Sequence, residues 1–325
     1  MDNVSMVPLA SIVCITYNHE AYIRECLNGF LKQRTTFKFE VLVHDDASTD
    51  NTAKIIREYE EKYPSLFRVI YQTKNQYSQG VRPCEDILFP IANGKYIALC
   101  EGDDYWIDPY KLQKQVDHLE ANMDYGLCYT QTRVYNQDKR QDEGIFGGPY
   151  EDFEKIIIHN PIPTLTVVAR TDLLRQYVRE INPSVYNWKL GDYPIWLWMS
   201  CHSKISYIPE ITSCYRVNGG SMSHAISYIS QLEFIKSVID VKQFFIQYKP
   251  LVSQEIIDLI NIESIQTNLQ LAYMNHNVKA GKILKQKLWA YISVKQNMVK
   301  RLKLWLLLLC PGMFTKLLQW KFNRL

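Results

Sequence analysis

Three short apolar runs, separated by stretches with helical periodicity, constrain the fold of this chain most strongly. The runs are residues 10–16, 39–44 and 96–100, and their continuous apolar character is typical of strands that are covered on both faces. Between them, apolar side chains recur at helical spacing in 23–31 and 55–63. Because strands and helices alternate, the sequence predicts right-handed crossovers and a mostly parallel sheet of the α/β class.

Acidic and polar residues follow each of these runs, at the point where the predicted strand ends. The first run continues into 17–20, the second into 45–50 and the third into 101–106. In open α/β sheets, ligands bind beyond the carboxyl ends of the strands. The adjacent carboxylates of Asp103 and Asp104 repel each other, and a hard divalent cation such as Mg²⁺ or Mn²⁺ takes one or two such ligands from a protein. The sequence therefore predicts a metal site at this edge of the sheet.

The alternative for Asp103 and Asp104 is a purely structural one. Asp is common at the start of helices, so the pair would then cap a helix ahead of Trp106. A second acidic pair, Asp45 and Asp46, follows a neighbouring predicted strand. Two such pairs at one edge favour a ligand site over simple capping.

The rest of the chain predicts further elements and a change of character near residue 226. We expect a helix at 109–122 with Asp108 as its N-cap, strands at 126–135 and 164–169, a polar loop at 136–150, and a helix at 191–201. From residue 227 onward the pattern is helical. We therefore predict an α/β domain over 1–226 and a helical extension over 227–325.

Three ordered segments of the sequence resemble the inverting glycosyltransferases of family 2, which have the GT-A fold. Residues 11–18 are similar to the family's opening strand, 40–52 to its second-strand signature and 94–104 to its metal-binding segment. The resemblance covers roughly residues 8–225. It implies a Rossmann-like, mostly parallel sheet with flanking helices, and it makes 1–226 the catalytic domain. It also implies a nucleotide diphosphate sugar as donor, with UDP as the expected nucleotide.

The resemblance implies roles for individual residues at the matching positions. For the donor these are Thr16, Tyr17 and Glu20 at the nucleoside, Asp46 at the uracil ring, Arg82 near the donor, Asp103 at the ribose and Arg216 at the diphosphate. Asp104 would bind Mn²⁺ or Mg²⁺, with His224 completing the metal shell. Two positions depart from the family pattern. Ile15 stands where a Pro is usual, and Glu101 replaces the first Asp of the D-x-D motif, which leaves its share in metal binding open.

An inverting transfer needs a base that deprotonates the acceptor hydroxyl, and the resemblance implies one downstream of the metal segment. The family's base is an Asp or Glu that precedes a helix, and Asp192 fits that position. The alternative is that Asp192 is a plain N-cap. Trp188 is expected to offer an aromatic face to a saccharide acceptor, although core packing is the commoner fate of Trp at helical spacing.

The C-terminal part of the chain is basic. After Glu263 the sequence has 11 Lys and Arg and no Asp or Glu, which indicates an anionic partner. An apolar run at 304–310, ended by Pro311, is too short to span a membrane but can lie in its interface. We expect a peripheral protein on the cytoplasmic face of the membrane that acts on a lipid-linked saccharide in surface polysaccharide assembly. Alternatively, 304–310 packs on the catalytic domain as an ordinary closing helix.

Other classes of protein find less support in the sequence. It has no run of 18 or more apolar residues and no signal-peptide pattern at its N-terminus, so we expect a cytosolic protein. P-loop and G-x-G-x-x-G motifs are missing from the sequence. One rival function is a catalytically inactive nucleotide-sugar-binding or scaffold protein, which the presence of Asp192 and both acidic pairs disfavours. A second rival is nucleic-acid binding through the basic tail; we expect no nucleic-acid partner.

Overall fold

The computed structural model describes residues 7–218, 227–249 and 251–295, with side chains as far as residue 288. Within these residues the chain divides into two compact units. The first unit contains residues up to 187 together with 191–218, and the second contains 188–190 and the described residues from 227 onward. The predicted boundary at residue 226 and the basic tail after residue 295 lie outside the described residues.

A single mixed sheet organises the first unit. Its strands within the described residues are β1 (Ala10–Thr16), β2 (Phe39–Asp45), β3 (Phe67–Tyr71), β4 (Tyr96–Leu99), β5 (Tyr105–Trp106), β6 (Tyr125–Asn136), β7 (Gln141–Phe146), β8 (Val168–Arg170) and β9 (Lys204–Val217). They lie in the order β3-β2-β1-β4-β8-β6-β9-β5, and β7 pairs with β6. The first four strands of this order run parallel. The predicted α/β fold is therefore confirmed, and the antiparallel β8 extends it.

Helices flank the sheet in the first unit and make up the second. They are α1 (Ile23–Leu31), α2 (Thr52–Lys62), α3 (Phe89–Ile91), α4 (Lys111–Ala121), α5 (Phe153–Ile156), α6 (Thr171–Ile181), α7 (Asp192–His202), α8 (Tyr228–Tyr248), α9 (Gln254–Met274) and α10 (Val278–Lys295). The amphipathic spacing of α1 buries Ile23, Leu27 and Phe30, as the sequence predicts. None of the described helices is long and apolar enough to cross a membrane.

Three of the predicted elements differ from the structure. The helix predicted at 109–122 begins at Lys111, because the Asp108 carboxylate accepts the Tyr110 N–H at 2.8 Å and closes a turn ahead of the helix. The strand predicted at 164–169 is divided into a 3₁₀ turn and the short β8. The polar loop predicted at 136–150 contains β7, whose residues are almost all exposed. An exposed edge strand has no apolar face to mark it in the sequence.

Trp106 lies in β5, two residues after Asp104, and packs against α1. Its ring is almost fully buried, meets Phe30 edge-on at 5.0 Å, and donates a hydrogen bond from Nε1 to the Leu165 carbonyl at 2.9 Å. Gly29 permits this packing, since a Cβ there would lie 3.0 Å from the Trp106 backbone. This buried contact holds the segment that carries Asp103 and Asp104 against the core.

Gly94 sits where the chain enters β4, and it touches the start of β1. Its N–H donates to Ser11 Oγ at 2.9 Å. A Cβ at Gly94 would lie 2.5 Å from the Ser11 backbone nitrogen, which no side-chain rotation can relieve.

We expect Gly94→Ala to destabilise the fold by about 1–3 kcal/mol or more, because the added methyl group forces the two strand entries apart. Chemical denaturation of the wild type and the variant measures the change. Gly148→Ala is the matched control, since a Cβ at Gly148 meets nothing within 4 Å. Equal stability of the Gly94→Ala variant and the wild type would contradict this packing.

Candidate active site

The ends of β1, β2 and β4 meet at one edge of the sheet. Thr16 is the register partner of Asp45, and the Asp46 N–H donates to the Thr16 carbonyl at 3.0 Å. The Gly102 N–H donates to the Ile15 carbonyl at 2.9 Å. The three polar segments that follow the strands are therefore in direct contact, as their sequence positions predict.

Several polar atoms at this edge, Asp45 Oδ1 among them, are buried without a hydrogen-bond partner among the described residues. Two others are Thr16 Oγ1 and His19 Nδ1. Both lie beside Gly102, where a Cβ would come within 2.6 Å of Thr16 Oγ1 and 3.0 Å of His19 Nδ1. Buried polar atoms are normally hydrogen-bonded, so this edge of the sheet is suited to a polar ligand group. Thr16 is a predicted site residue, whereas nothing in the sequence indicated a role for His19.

The remaining predicted nucleoside contacts lie on the segments that follow β1 and β2. The Asp46 carboxylate accepts the main-chain N–H groups of Gln76 at 2.7 Å and Tyr77 at 3.1 Å. Glu20 accepts from the backbone and side chain of Asn51, at 2.9 and 2.8 Å. Tyr17 is exposed. A carboxylate oxygen can accept more than one hydrogen bond, so Asp46 keeps capacity for a ligand while it holds the adjacent loop.

An acidic cluster lies at the end of β4. Glu101, Asp103 and Asp104 can each place one carboxylate oxygen within 4.8 Å of those of the other two. Burial raises the pKa of Asp104 well above its ordinary value, and the negative charges of Asp103 and Glu101 add to this increase. Desolvation of its carboxylate, followed by the negative charges of Asp103 and Asp192, raises the pKa of Glu101 above its ordinary value. Glu101 retains an exposed surface, so solvent screening reduces the effect there.

These three carboxylates fit a hard divalent cation. Like charges so close together oppose one another's ionisation, and a cation with oxygen ligands such as Mg²⁺ or Mn²⁺ removes that repulsion. Asp104 Oδ1 already accepts the Arg216 N–H at 2.7 Å, which leaves Oδ2 for such an ion. Glu101, whose part the sequence left open, lies with the two Asp residues. His224 lies outside the described residues.

Asp192 is the first residue of α7 and lies within electrostatic reach of the acidic cluster. Its Oδ2 accepts from Thr164 Oγ1 at 2.6 Å, and its Oδ1 accepts the Tyr193 N–H at 2.7 Å. The N-cap position of α7 is Gly191. The charge of Asp192 contributes to the raised pKa values of both Glu101 and Glu85. Asp192 is therefore close enough to the candidate metal ligands to affect their ionisation.

Arg82 and Glu85 lie next to Gly191, the residue before Asp192. Arg82 is buried and donates from Nε to the Pro183 carbonyl at 3.1 Å. Glu85 is buried in a π-helical turn, and its Oε1 lies 3.3 Å from where a Cβ of Gly191 would be. Burial raises the pKa of Glu85 to about 7 against the opposing charge of Arg82. Single π-turns are frequent at functional sites, but they leave no signal in a single sequence, so Glu85 was missed.

Two predicted residues have surroundings that the sequence did not indicate. Trp188 belongs to the second unit, where it is buried and meets Phe244 edge-on at 5.3 Å. Arg216, which the resemblance assigns to the diphosphate, is buried near the end of β9. The acceptor contact of Trp188 and the diphosphate contact of Arg216 stay predictions.

Comparison with other proteins identifies relatives of this chain. An uncharacterized protein of Mycobacterium tuberculosis is 37% identical over 227 residues, which are 69% of this chain and 63% of the relative. The chain therefore spans less than two thirds of that relative's length. The Escherichia coli protein WfgD, named UDP-Glc:alpha-D-GlcNAc-diphosphoundecaprenol beta-1,3-glucosyltransferase, is 30% identical over 66% of this chain and 79% of its own length.

Two solved structures share the fold at low sequence identity. Staphylococcus aureus TarS 1-349 in complex with UDP-GlcNAc has a TM-score of 0.55 and 22% identity, over 86% of this chain and 78% of its own. The mannosyltransferase PcManGT of Pyrobaculum calidifontis, in complex with GDP-Man and Mn²⁺, has a TM-score of 0.55 and 16% identity, over 98% of this chain and 86% of its own. These likenesses show the GT-A fold.

The family is shown by the sequence match that covers the acidic edge. The model of glycosyl transferase family 2 matches residues 11–174, which include the ends of β1, β2 and β4 and the cluster of Glu101, Asp103 and Asp104. The fold and the position of this cluster agree with that match. The chain therefore belongs to glycosyl transferase family 2.

Proposed function

We propose that this protein transfers a sugar from a nucleotide diphosphate sugar to a saccharide hydroxyl and inverts the anomeric carbon. The observation that carries the proposal is the acidic cluster of Glu101, Asp103 and Asp104 with Asp192 in electrostatic reach of it. One end of the site is thus suited to a metal-bound diphosphate and the other to deprotonation of an acceptor. UDP is the proposed nucleotide, since WfgD is named for UDP-Glc and TarS was crystallised with UDP-GlcNAc.

In this proposal the donor nucleoside lies at the sheet edge beside Gly102. Thr16 Oγ1, which is buried and has no described partner, would exchange a hydrogen bond with the nucleotide. Asp46 would accept from the base while it holds Gln76 and Tyr77 through their N–H groups. Tyr17 and Glu20 would border the nucleoside, and Asp103 would reach the ribose. Arg82, whose guanidinium donates a hydrogen bond to the Pro183 carbonyl, would support the donor site.

The diphosphate end of the donor requires neutralisation of negative charge. Glu101, Asp103 and Asp104 would hold Mn²⁺ or Mg²⁺, which when bound stabilises charge on the departing diphosphate. The structure of PcManGT contains Mn²⁺, which supports this choice of ion. Asp104, fixed by the Arg216 N–H, would supply one oxygen without having to reorient.

Asp192 would act as the general base. Its Oδ2 holds Thr164 and its Oδ1 holds the Tyr193 N–H, so its carboxylate is oriented before any acceptor arrives. An acceptor hydroxyl that loses its proton to Asp192 attacks the anomeric carbon on the face opposite the diphosphate. Direct displacement of this kind inverts the carbon and forms no covalent enzyme intermediate.

The proposed acceptor is a lipid-linked saccharide used in surface polysaccharide assembly. WfgD is named for an acceptor on diphosphoundecaprenol, and this protein would reach such a substrate from the cytoplasmic face of the membrane. Residues Lys279, Lys282 and Lys287 on α10 are exposed, and more basic residues follow in the tail after residue 295. Each basic residue near an anionic leaflet adds roughly 1 kcal/mol of attraction.

We expect Asp104→Asn to lose sugar transfer by at least about 100-fold, because the amide keeps the shape of the side chain but supplies no charge to a cation. Release of nucleoside diphosphate from a panel of nucleotide sugars with Mn²⁺ measures transfer. Asp142→Asn, in the exposed strand β7, is the control and should leave the rate unchanged. Undiminished transfer by Asp104→Asn in EDTA-treated buffer would contradict the metal site.

Asp192→Asn should lower kcat by about 10²–10⁴-fold while donor affinity stays nearly constant, as expected for loss of a general base. Nucleotide binding by calorimetry and turnover by diphosphate release separate the two effects. Asp172→Asn is a close control, because Asp172 lies in the first turn of α6 and accepts the Leu173 N–H at 2.9 Å. Loss of nucleotide affinity or unfolding in Asp192→Asn would identify Asp192 as structural. A protein that binds donor but transfers to no acceptor would support the scaffold alternative.

Membrane docking predicts that the full chain floats with anionic liposomes at low salt and that a chain ending at Lys295 floats much less. The comparison tests the 304–310 run and its basic neighbours directly, since high salt should weaken binding of the full chain. Neutral liposomes serve as the control. Equal flotation of the two chains, or flotation of neither, would rule out the tail as the anchor.

A further inference from the structure

Arg216 is almost fully buried and packs against residues of the first unit. Only 5% of its surface is exposed. Its guanidinium lies over two aromatic rings, with Cζ 5.1 Å from the centre of the Tyr22 ring and 4.5 Å from that of Tyr105. Both distances are within the range of cation–π attraction. Such an environment immobilises a side chain that is flexible when it stands in solvent.

The polar groups of Arg216 bind the acidic segment. Its main-chain N–H donates to Asp104 Oδ1 at 2.7 Å, and Nη1 donates to the Asp103 carbonyl at 2.6 Å. Pairing of β9 with β5 explains this approach, because Cys214 is opposite Tyr105, immediately after Asp104. One residue thus fixes both the backbone of Asp103 and the carboxylate of Asp104.

The third contact of Arg216 is with the first turn of α1. Nη2 donates to Glu25 Oε2 in a close ion pair. The Glu25 side chain is about half exposed, with 54% of its surface accessible, whereas the Arg216 side chain keeps 6%. α1 begins at Ile23, three residues after Glu20, which is predicted to border the nucleoside. The Arg216–Glu25 pair therefore connects the nucleoside segment with the acidic segment.

We propose that Arg216 is a positioning residue, anchored by Glu25, that fixes the backbone of Asp103 and the orientation of the Asp104 carboxylate for a cation. This inference rests on the proposed function for the presence of a cation. Two hydrogen bonds from one residue determine where the acidic segment lies, and Glu25 determines where the guanidinium of that residue lies. Partners of metal ligands act in this way, and their loss typically weakens metal binding by 10- to 100-fold.

Direct contact with the donor diphosphate is the competing use of Arg216. That contact would require Nη1 or Nη2 to leave Asp103 or Glu25 and the guanidinium to turn out from between Tyr22 and Tyr105. The two uses make opposite predictions for Glu25. If Arg216 binds phosphate, removal of the Glu25 charge leaves nucleotide binding unchanged or strengthens it. If Arg216 is a positioning residue, the same change weakens metal binding.

The experiment measures Mn²⁺ binding in the presence of UDP from the loss of the free Mn²⁺ electron paramagnetic resonance signal. The variants are Glu25→Gln and Arg216→Lys. The control is Glu58→Gln, which removes an exposed ion pair between α2 and Arg24 of α1, 2.7 Å long, away from the acidic segment. Melting temperatures report whether each variant is folded. Glu25 is half exposed, so Glu25→Gln keeps the test valid even if Arg216→Lys does not fold.

We expect Glu25→Gln and Arg216→Lys to weaken Mn²⁺ binding by about 10- to 100-fold while Glu58→Gln matches the wild type. Excess Mn²⁺ should restore most of the transfer rate in Glu25→Gln. Wild-type affinity in Glu25→Gln, or tighter binding, would overturn the positioning role while leaving the proposed function intact. Failure of the wild-type protein to bind Mn²⁺ with UDP would contradict the metal site, and both the proposed function and this inference would fall with it.

Discussion

Mutual repulsion of carboxylates at the end of β4 is the constraint on which the rest of the site depends. Glu101, Asp103 and Asp104 lie close enough to share one ion, and burial of Asp104 makes its negative charge costly. The surrounding elements hold this segment in place despite the repulsion. Trp106 anchors it to the core on one side, and the strand pairing of β9 brings Arg216 to it on the other.

Much of this fold follows from local sequence pattern. β1 spans residues 10–16 and β2 spans 39–45, nearly as predicted, because a strand buried on both faces is apolar throughout. The acidic edge follows in turn, since parallel strands end on the same side. The elements that were misplaced lack such a pattern. β7 is exposed along almost its whole length, and the start of α4 is set by a turn that Asp108 closes.

The side-chain contacts that the sequence could not predict around the site are long-range. Arg216 and Glu25 are 191 positions apart, so no local pattern relates them. The pairing of β9 with β5, which packs against α1, brings them together. Glu85 is charged and buried, and its position next to Gly191 is set by the π-turn and not by a motif. Residue types were sufficient to predict where ligands gather, whereas the roles of the supporting side chains required the tertiary structure.

The same edge also carries backbone conformations that most residues avoid. Asn18 has φ of 56° and Ala47 has φ of 62°, in the left-handed region that is unfavourable for residues with a Cβ. Asn18 tolerates it through the hydrogen bond that its Oδ1 accepts from the Thr49 N–H at 2.8 Å. Unfavourable backbone conformations and charge repulsion therefore occur together at this edge. A cation that binds only the folded state stabilises that state by mass action. The groups that lower the stability of the ligand-free protein are therefore the groups that would bind the donor and the metal.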